Sequence, residues 1–284
     1  IYLIGVIEGC IQAQQPHFVG YGLLVGEICK VLLASVLIMG LQLSLLGAVL
    51  SVIVAFAIKM AFYLKITIKE LRKRIVPSYI REWIKGSAFN MYNILGDRIA
   101  ALIIVMLALY GGDIGTSYYQ AALPIANIIT YSSFLAYALY PKLLAENKIE
   151  DATTSLKMVL MFSIPMTLGV IAIPDSYLII LKDVYSVAAP VLIILAVDGL
   201  ILTVSSIFTA VLLGIEKVDE KAKIPFKQVA KSRLFIAFSL PYAHSLITLP
   251  TAFYALTRLT NNQPLLVAIY ATAINTVAHF AMFI

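Results

Sequence analysis

The stretch Lys30-VLLASVLIMGLQLSLLGAVLSVIVAFAI-Lys59 carries no charge between its two lysines. The run from Asp113 to Lys142 carries none inside it either, and between Arg233 and Ile284 the one charge is Arg258. About 20 helical residues at roughly 1.5 Å each match a hydrocarbon core ~30 Å thick, so runs of this length can cross a bilayer. They recur along the whole chain, and they lack the apolar/polar alternation of barrel strands, which leaves the helix as the spanning structure. The fold class expected is an all-α polytopic membrane protein.

Composition supports this. Hydrophobic residues make up 61% of the chain and charged residues 13%, where a soluble domain carries about 25% charged. The net charge of +6 does not point to nucleic acid. The basic residues sit in a few short loops, which is the signal that orients membrane proteins. Cys10 and Cys29 both fall in apolar segments and are expected to be small core residues, not a disulfide or metal pair. The chain opens Ile-Tyr-Leu-Ile without Met or a basic leader, so residues 1–13 are not read as a signal peptide. It closes inside an apolar run, and both ends are those expected of a piece of a longer protein.

Nine apolar segments are expected, at about 1–14, 18–40, 43–64, 88–110, 117–140, 155–174, 187–213, 233–256 and 264–284. Counting Lys and Arg in alternate connections orients them. Loops 65–87, 141–157 and 214–233 hold sixteen basic residues, whereas the other set holds only Lys182 and Arg258. The basic loops are therefore expected to be cytoplasmic, in a multi-pass protein. The segment 65–87 mixes Ile66, Ile68, Leu71, Trp83 and Ile84 with basic residues, and reads as an amphipathic stretch at the cytoplasmic interface. It separates three helices from six.

Ionisable side chains near a bilayer centre cost about 2.5–3.5 kcal/mol on insertion scales, so those that occur usually face a cavity or a partner. If the second segment enters near Phe18, Glu27 lies roughly 14 Å deep, and Lys30 shares its helix face. Asp97 and Arg98 in the fourth segment and Asp198 in the seventh fall at similar depth. These five residues are the candidate path for a substrate or coupling ion. The structural alternative is that each belongs to an ion pair holding helices together.

Glu8, nearer the cytoplasmic end, and Lys59, able to snorkel there, are weaker candidates. His244 and His279 read as lone core histidines, and His17 as a boundary residue near headgroups. Gly5/Gly9 and Gly22/Gly26 have the small-xxx-small spacing of close helix packing. Pro124, Pro165 and Pro190 are positioned to kink helices, and Tyr118-Tyr119 and Tyr137/Tyr140 fit interfacial aromatic belts. No Gly-x-Ser-x-Gly, His-Glu-x-x-His or Walker-type loop occurs, so no enzyme is expected and no metal ligands are assigned. A transporter without a nucleotide site must draw on gradients or on its cargo's free energy, unless another subunit supplies ATP.

Three stretches carry a family resemblance. Gly9-Cys-Ile-Gln-Ala-Gln-Gln-Pro-His17 is followed by Tyr21 and Glu27-Ile-Cys-Lys30. Gly96-Asp97-Arg98 precedes Gly112-Asp113-Ile-Gly115-Thr-Ser-Tyr118-Tyr-Gln-Ala121 and Ala138-Leu-Tyr-Pro141. Tyr185-Ser-Val-Ala-Ala-Pro-Val-Leu-Ile-Ile-Leu195 leads to Val211-Leu-Leu-Gly214-Ile-Glu-Lys217. Together they resemble the polysaccharide-export branch of the MOP superfamily, the Wzx-type lipid-linked oligosaccharide flippases, which are related to the MATE exporters.

That resemblance implies a two-lobe fold of twelve to fourteen helices. Residues 1–64 would be the last three helices of the first lobe, 65–87 the cytoplasmic inter-lobe linker, and 88–284 the six-helix second lobe. It further implies flipping of a polyprenyl-linked oligosaccharide across the plasma membrane by alternating access, for cell-surface glycan biosynthesis. The partners implied are that lipid-linked oligosaccharide, membrane lipid and glycan-assembly proteins. No cofactor is implied beyond a coupling H⁺ or Na⁺. Arg98 and Lys30 would attract phosphate, Arg through its planar fork and Lys as a point charge. Asp97, Asp198 and Glu27 would balance them, bind sugar hydroxyls or hold the ion. The alternative is a MATE-like exporter of small organic cations driven by H⁺ or Na⁺, which favours a net negative cavity. A membrane enzyme or assembly scaffold is disfavoured by the short external loops.

Overall fold

The computed structural model describes residues 2–15, 17–71, 77–136, 149–216, 233–261 and 263–283, and all regular structure among them is helical. In apolar surroundings a helix satisfies its own backbone groups. Hydroxyl side chains inside these helices do likewise, donating to carbonyls one turn back: Thr167 to Ser163 at 2.8 Å, Thr248 to His244 at 2.8 Å and Thr272 to Ala268 at 2.6 Å. The chain divides into two compact units, Ile1–Pro77 and Ser78–Ile284, and the dividing line falls within the stretch 65–87.

The first unit holds α1 (Tyr2–Gln14), α2 (His17–Ala34, continued by a π-helical turn Ser35–Gly40) and α3 (Ser44–Leu71). One row of α3 is buried at every fourth residue, Ser51, Ala55, Lys59, Tyr63 and Thr67. Such i±4 rows are the ridges helices use to pack. The matching groove on α2 is built from Val19, Gly22 and Gly26: a Cβ at Gly22 would collide with the Tyr63 ring, and one at Gly26 would lie 3.3 Å from Lys59 Cδ. Ile4, Ile7 and Ile11 are the buried row of α1. The opposite faces are apolar and exposed, with Leu24, Ile28, Val31 and Leu32 on α2 and Leu45, Leu46 and Ile53 on α3. Large outward apolar surface of this kind fits lipid, not water.

The second unit holds α4 (Pro77–Ala100, whose first residue closes the other unit), α5 (Leu102–Thr130) and a 3₁₀ turn Tyr131–Ala136. After these come α6 (Ile149–Ala172), α7 (Pro174–Leu181), a 3₁₀ turn Asp183–Ala188, α8 (Ala189–Glu216), α9 (Arg233–Arg258) and α10 (Pro264–Phe283). Helix α5 is broken at Gly112, whose φ of 59° and ψ of −160° are non-helical. Leu107 and Tyr119 nevertheless line the same recess, together with Leu195 and Ala271. A straight helix would hold them about 18 Å apart, so the chain doubles back at Gly112.

Packing partners give the directions. Gly96 meets Tyr242 and Tyr110 meets Phe253, so α4 and the first half of α5 run parallel to α9. Gly111 meets Val267, and Ile104 and Leu107 line one recess with Ala271 and Asn275, which makes α10 antiparallel to that stretch. Gly199 lies on the Ala126 carbonyl and Thr203 Oγ1 donates to Ile129 at 3.5 Å, so the second half of α5 runs parallel to α8. The shared core is Leu107 and Ile129 of α5, Leu192 and Leu195 of α8, Leu256 of α9 and Val267 of α10.

Six stretches among the described residues are long and apolar enough to cross a membrane: His17–Gly40, Ser44–Ile68, Met91–Phe134, Asp151–Ala172, Asp183–Leu212 and Pro264–Met282. The nine segments expected from sequence are not reached, for three physical reasons. Helix α1 has only 13 residues. Segments 88–110 and 117–140 fall within one continuous apolar stretch, interrupted only at Gly112. Helix α9 carries Ser239, Pro241, His244, Ser245 and Thr248, which dilute its hydropathy.

Other expectations change too. Gly5 and Gly9 face open space, so of the two glycine pairs only Gly22/Gly26 supports a close helix contact. Cys10 is exposed and Cys29 half-buried, so neither is a core residue, although both are free thiols. Pro190 lies in the first turn of α8, where proline fits without kinking. Tyr119 is partly buried against the core and lines a recess with Leu107 and Leu195. Tyr137, Tyr140, residues 141–148 of the basic loop 141–157 and residues 217–232 of the loop 214–233 lie outside the described residues, and 149–157 begin α6.

Candidate functional site

In the first unit the charges within the helices form two ion pairs. Lys30 Nζ donates to both carboxylate oxygens of Glu27, at 2.7 and 2.6 Å, as the i,i+3 spacing on α2 allows. Glu27 is exposed and Lys30 half-buried. The pair opens onto a recess whose other wall is Val52, Ala55, Phe56 and Lys59 of α3.

The second pair corrects the reading of Lys59 as a snorkelling side chain. Lys59 is buried, and its Nζ lies 2.6 Å from Glu8 Oε1 of α1. The fully buried Tyr63 hydroxyl also approaches this carboxylate, at 3.0 Å, and lies 3.1 Å from the Val19 carbonyl. Lys59 Nζ sits 5.4 Å from the Tyr63 ring centroid. One polar network therefore ties α1, α2 and α3 together within an otherwise apolar packing.

In the second unit Asp97 and Arg98 sit at the end of α4, and both are exposed. They follow Gly96, against which the Tyr242 ring packs so closely that a Cβ would lie 2.7 Å from it. Tyr242 stacks on Tyr92 at 4.5 Å and donates to the Tyr92 carbonyl at 2.7 Å, and Tyr92 stacks on Phe235 at 5.7 Å. This aromatic seam fixes α4 on α9 and leaves the adjacent Arg98 guanidinium without an ion pair to another helix among the described residues.

Asp198 behaves differently from Arg98 and does not pair with it. It is 5% exposed on α8, and its Oδ1 lies 2.7 Å from Nδ1 of His279 on α10. The His279 ring in turn stacks on His244 of α9, with centroids 4.8 Å apart and planes at 18°. Tyr119 of α5 is within electrostatic range of Asp198. The two histidines expected to be lone core residues are thus one stacked pair, and one of them holds the buried carboxylate. Sequence spacing gave no hint of this, because residues 198, 244 and 279 meet only through tertiary packing of three helices.

The Lys59 network did leave a trace. Ser51, Lys59, Tyr63 and Thr67 are spaced in fours along an apolar helix, and polar residues in such a row turn inward. His17 begins α2, exposed and 4.4 Å from the Phe18 ring, where a boundary residue was expected. Among the described residues, no group of three His, Cys, Asp or Glu side chains is placed to hold a metal. No protein-family model, no curated protein and no solved structure matches the chain.

Proposed function

We propose that this chain acts in flipping a polyprenyl-linked oligosaccharide across the plasma membrane by alternating access. The observation that carries the reading is the Glu27–Lys30 pair. A bidentate ion pair lies about 15 Å along an apolar helix from its first residue, and opens onto a recess instead of being packed away. Charges held open at that depth suit a polar or anionic cargo. Arg98, exposed and without an ion pair to another helix among the described residues, supplies a planar fork for phosphate, and Lys30 a point charge. Asp97 and Glu27 balance those charges.

In this reading the chain makes nine crossings, with α1, the two halves of α5 and α9 each counted as one, and the loops around 65–87, 141–157 and 214–233 are cytoplasmic. The Wzx-type family, part of the MOP superfamily, is the match proposed on sequence motifs. Glycan-assembly proteins are the partners proposed. The reading is tested in cells by Arg98→Gln and Lys30→Gln. Each is expected to lower surface glycan at least tenfold at normal protein level. Unchanged surface glycan in both variants would sink it.

One observation favours the second reading, export of small organic cations. Asp198 is a buried carboxylate whose described partner is a histidine and not a Lys or Arg, so that part of the interior can be net negative. Protein-dependent resistance to cationic dyes would support it. Dye sensitivity equal to that of cells lacking the protein removes it.

A further inference from the structure

We propose that Asp198, His279 and His244 form a proton-binding site that takes up one proton inside the unit Ser78–Ile284. Three helices supply the groups: Asp198 from α8, His279 from α10 and His244 from α9. Asp198 lies midway along the apolar stretch Asp183–Leu212, and His279 lies within Pro264–Met282. No Lys or Arg among the described residues pairs with the carboxylate. Among the described residues Tyr119, from α5, is a further titratable group within electrostatic range of it.

The charge balance sets the stoichiometry. With Asp198 ionised and both imidazoles neutral, His279 donates its Nδ1 proton to Asp198 Oδ1, and the cluster carries one net negative charge in apolar surroundings. A proton arriving from water binds the remaining lone pair, on Nε2 of His279. The product is a carboxylate–imidazolium pair with no net charge, which a low-dielectric interior favours over a lone carboxylate. A second proton, on His244, would place two cationic rings face to face at 4.8 Å with one carboxylate between the two charges to compensate. The site therefore holds one proton and excludes a second.

His244 gives independent support. It is 1% exposed, and although the Asn275 main chain approaches its ring, neither ring nitrogen makes a well-formed hydrogen bond. Thr276 Oγ1, one turn before His279, is likewise buried and unpaired among the described residues. Apolar packing alone gives no reason to keep an imidazole and a hydroxyl in this state, whereas a proton-handling site uses both as relay positions. A metal ion fits poorly. Rings stacked at 18° direct their nitrogen lone pairs along nearly parallel planes instead of toward a common point. Sodium, a hard cation, would also find one carboxylate and two imidazoles in place of an oxygen shell.

Proton binding does not require the transport reading, whereas its use as the coupling ion rests on it. The chain has three histidines, so ¹⁵N-histidine NMR of the full protein in lipid nanodiscs with His17→Asn follows the two rings directly. Between about pH 5 and about pH 9, one ring is expected to pass from neutral to imidazolium while the other stays neutral. Asp198→Asn should lower that proton affinity at least tenfold, and Asp198→Glu should restore it. Exchanging choline for Na⁺ should shift neither ring.

Both rings remaining neutral, both becoming charged, or a Na⁺-dependent shift would overturn the proposal. The wild-type titration decides even if Asp198→Asn fails to fold. Flipping measured with the same purified protein in liposomes separates the two ideas. An intact one-proton titration without flipping removes the transport reading and leaves the site. Flipping without a titrating ring removes the site alone.

Discussion

At the scale of single residues, the charges of the first unit have specific neighbours. Glu8, Lys59 and Tyr63 illustrate this: a buried ammonium, a carboxylate 2.6 Å away and a phenol hydroxyl 3.0 Å from the same carboxylate. Removing one partner of such a pair leaves a buried charge, which costs about 3–5 kcal/mol. Glu8→Gln is therefore expected to destabilise the first unit by about 3 kcal/mol, read as a lower unfolding midpoint in detergent. The double variant Glu8→Gln with Lys59→Met, which removes both charges, should recover most of that loss. A Glu8→Gln midpoint equal to wild type would show that the pair is not formed. The sequence marks these residues as unusual, because a charge in an apolar helix stands out. It does not show which charge meets which. Depth along a helix was readable, but rotation about the helix axis was not, since the runs are apolar on every side.

At the scale of elements, glycine decides two contacts. On α2 the Gly22 position lies under the Tyr63 ring, so Gly22→Ala forces α2 and α3 apart. Overpacking of this kind costs about 1–3 kcal/mol, whereas Gly5→Ala, facing open space, should change stability by less than about 0.5 kcal/mol. Thermal unfolding of the two variants side by side checks this, and equal midpoints would contradict the helix pairing. On α5 Gly112 has φ 59° and ψ −160°, a region essentially closed to other residues. Gly112→Ala should cost about 1–3 kcal/mol and loosen the reversal that brings Tyr119 beside Leu107. Protease sensitivity near residue 112 would report it, and unchanged sensitivity and stability would contradict it. Helix existence and type were legible from uncharged runs. Segments 88–110 and 117–140 were expected as separate runs, whereas the helical assignment continues across Leu102–Thr130 with Gly112 as its non-helical point, so the two arms form one long apolar stretch.

At the scale of the whole molecule, what was legible is the class: among the described residues all regular structure is helical, with apolar outer faces and six stretches able to cross a membrane. Its candidate site was half legible. Glu27 and Lys30 share a face as their spacing required, and Asp198 is buried as its depth suggested. Its partner His279 was missed, since residues 81 apart in sequence come together only when α8 and α10 pack.

The central claim is that these charges serve the movement of a lipid-linked sugar across the bilayer. Its direct test reconstitutes the full protein in liposomes holding a fluorescent polyprenyl-pyrophosphate oligosaccharide, and follows how much becomes accessible to an impermeant quencher. The account predicts accessibility rising well above that of protein-free liposomes, and falling at least tenfold in initial rate with Arg98→Gln. Accessibility identical to protein-free liposomes, from protein shown to be folded and inserted, would contradict it.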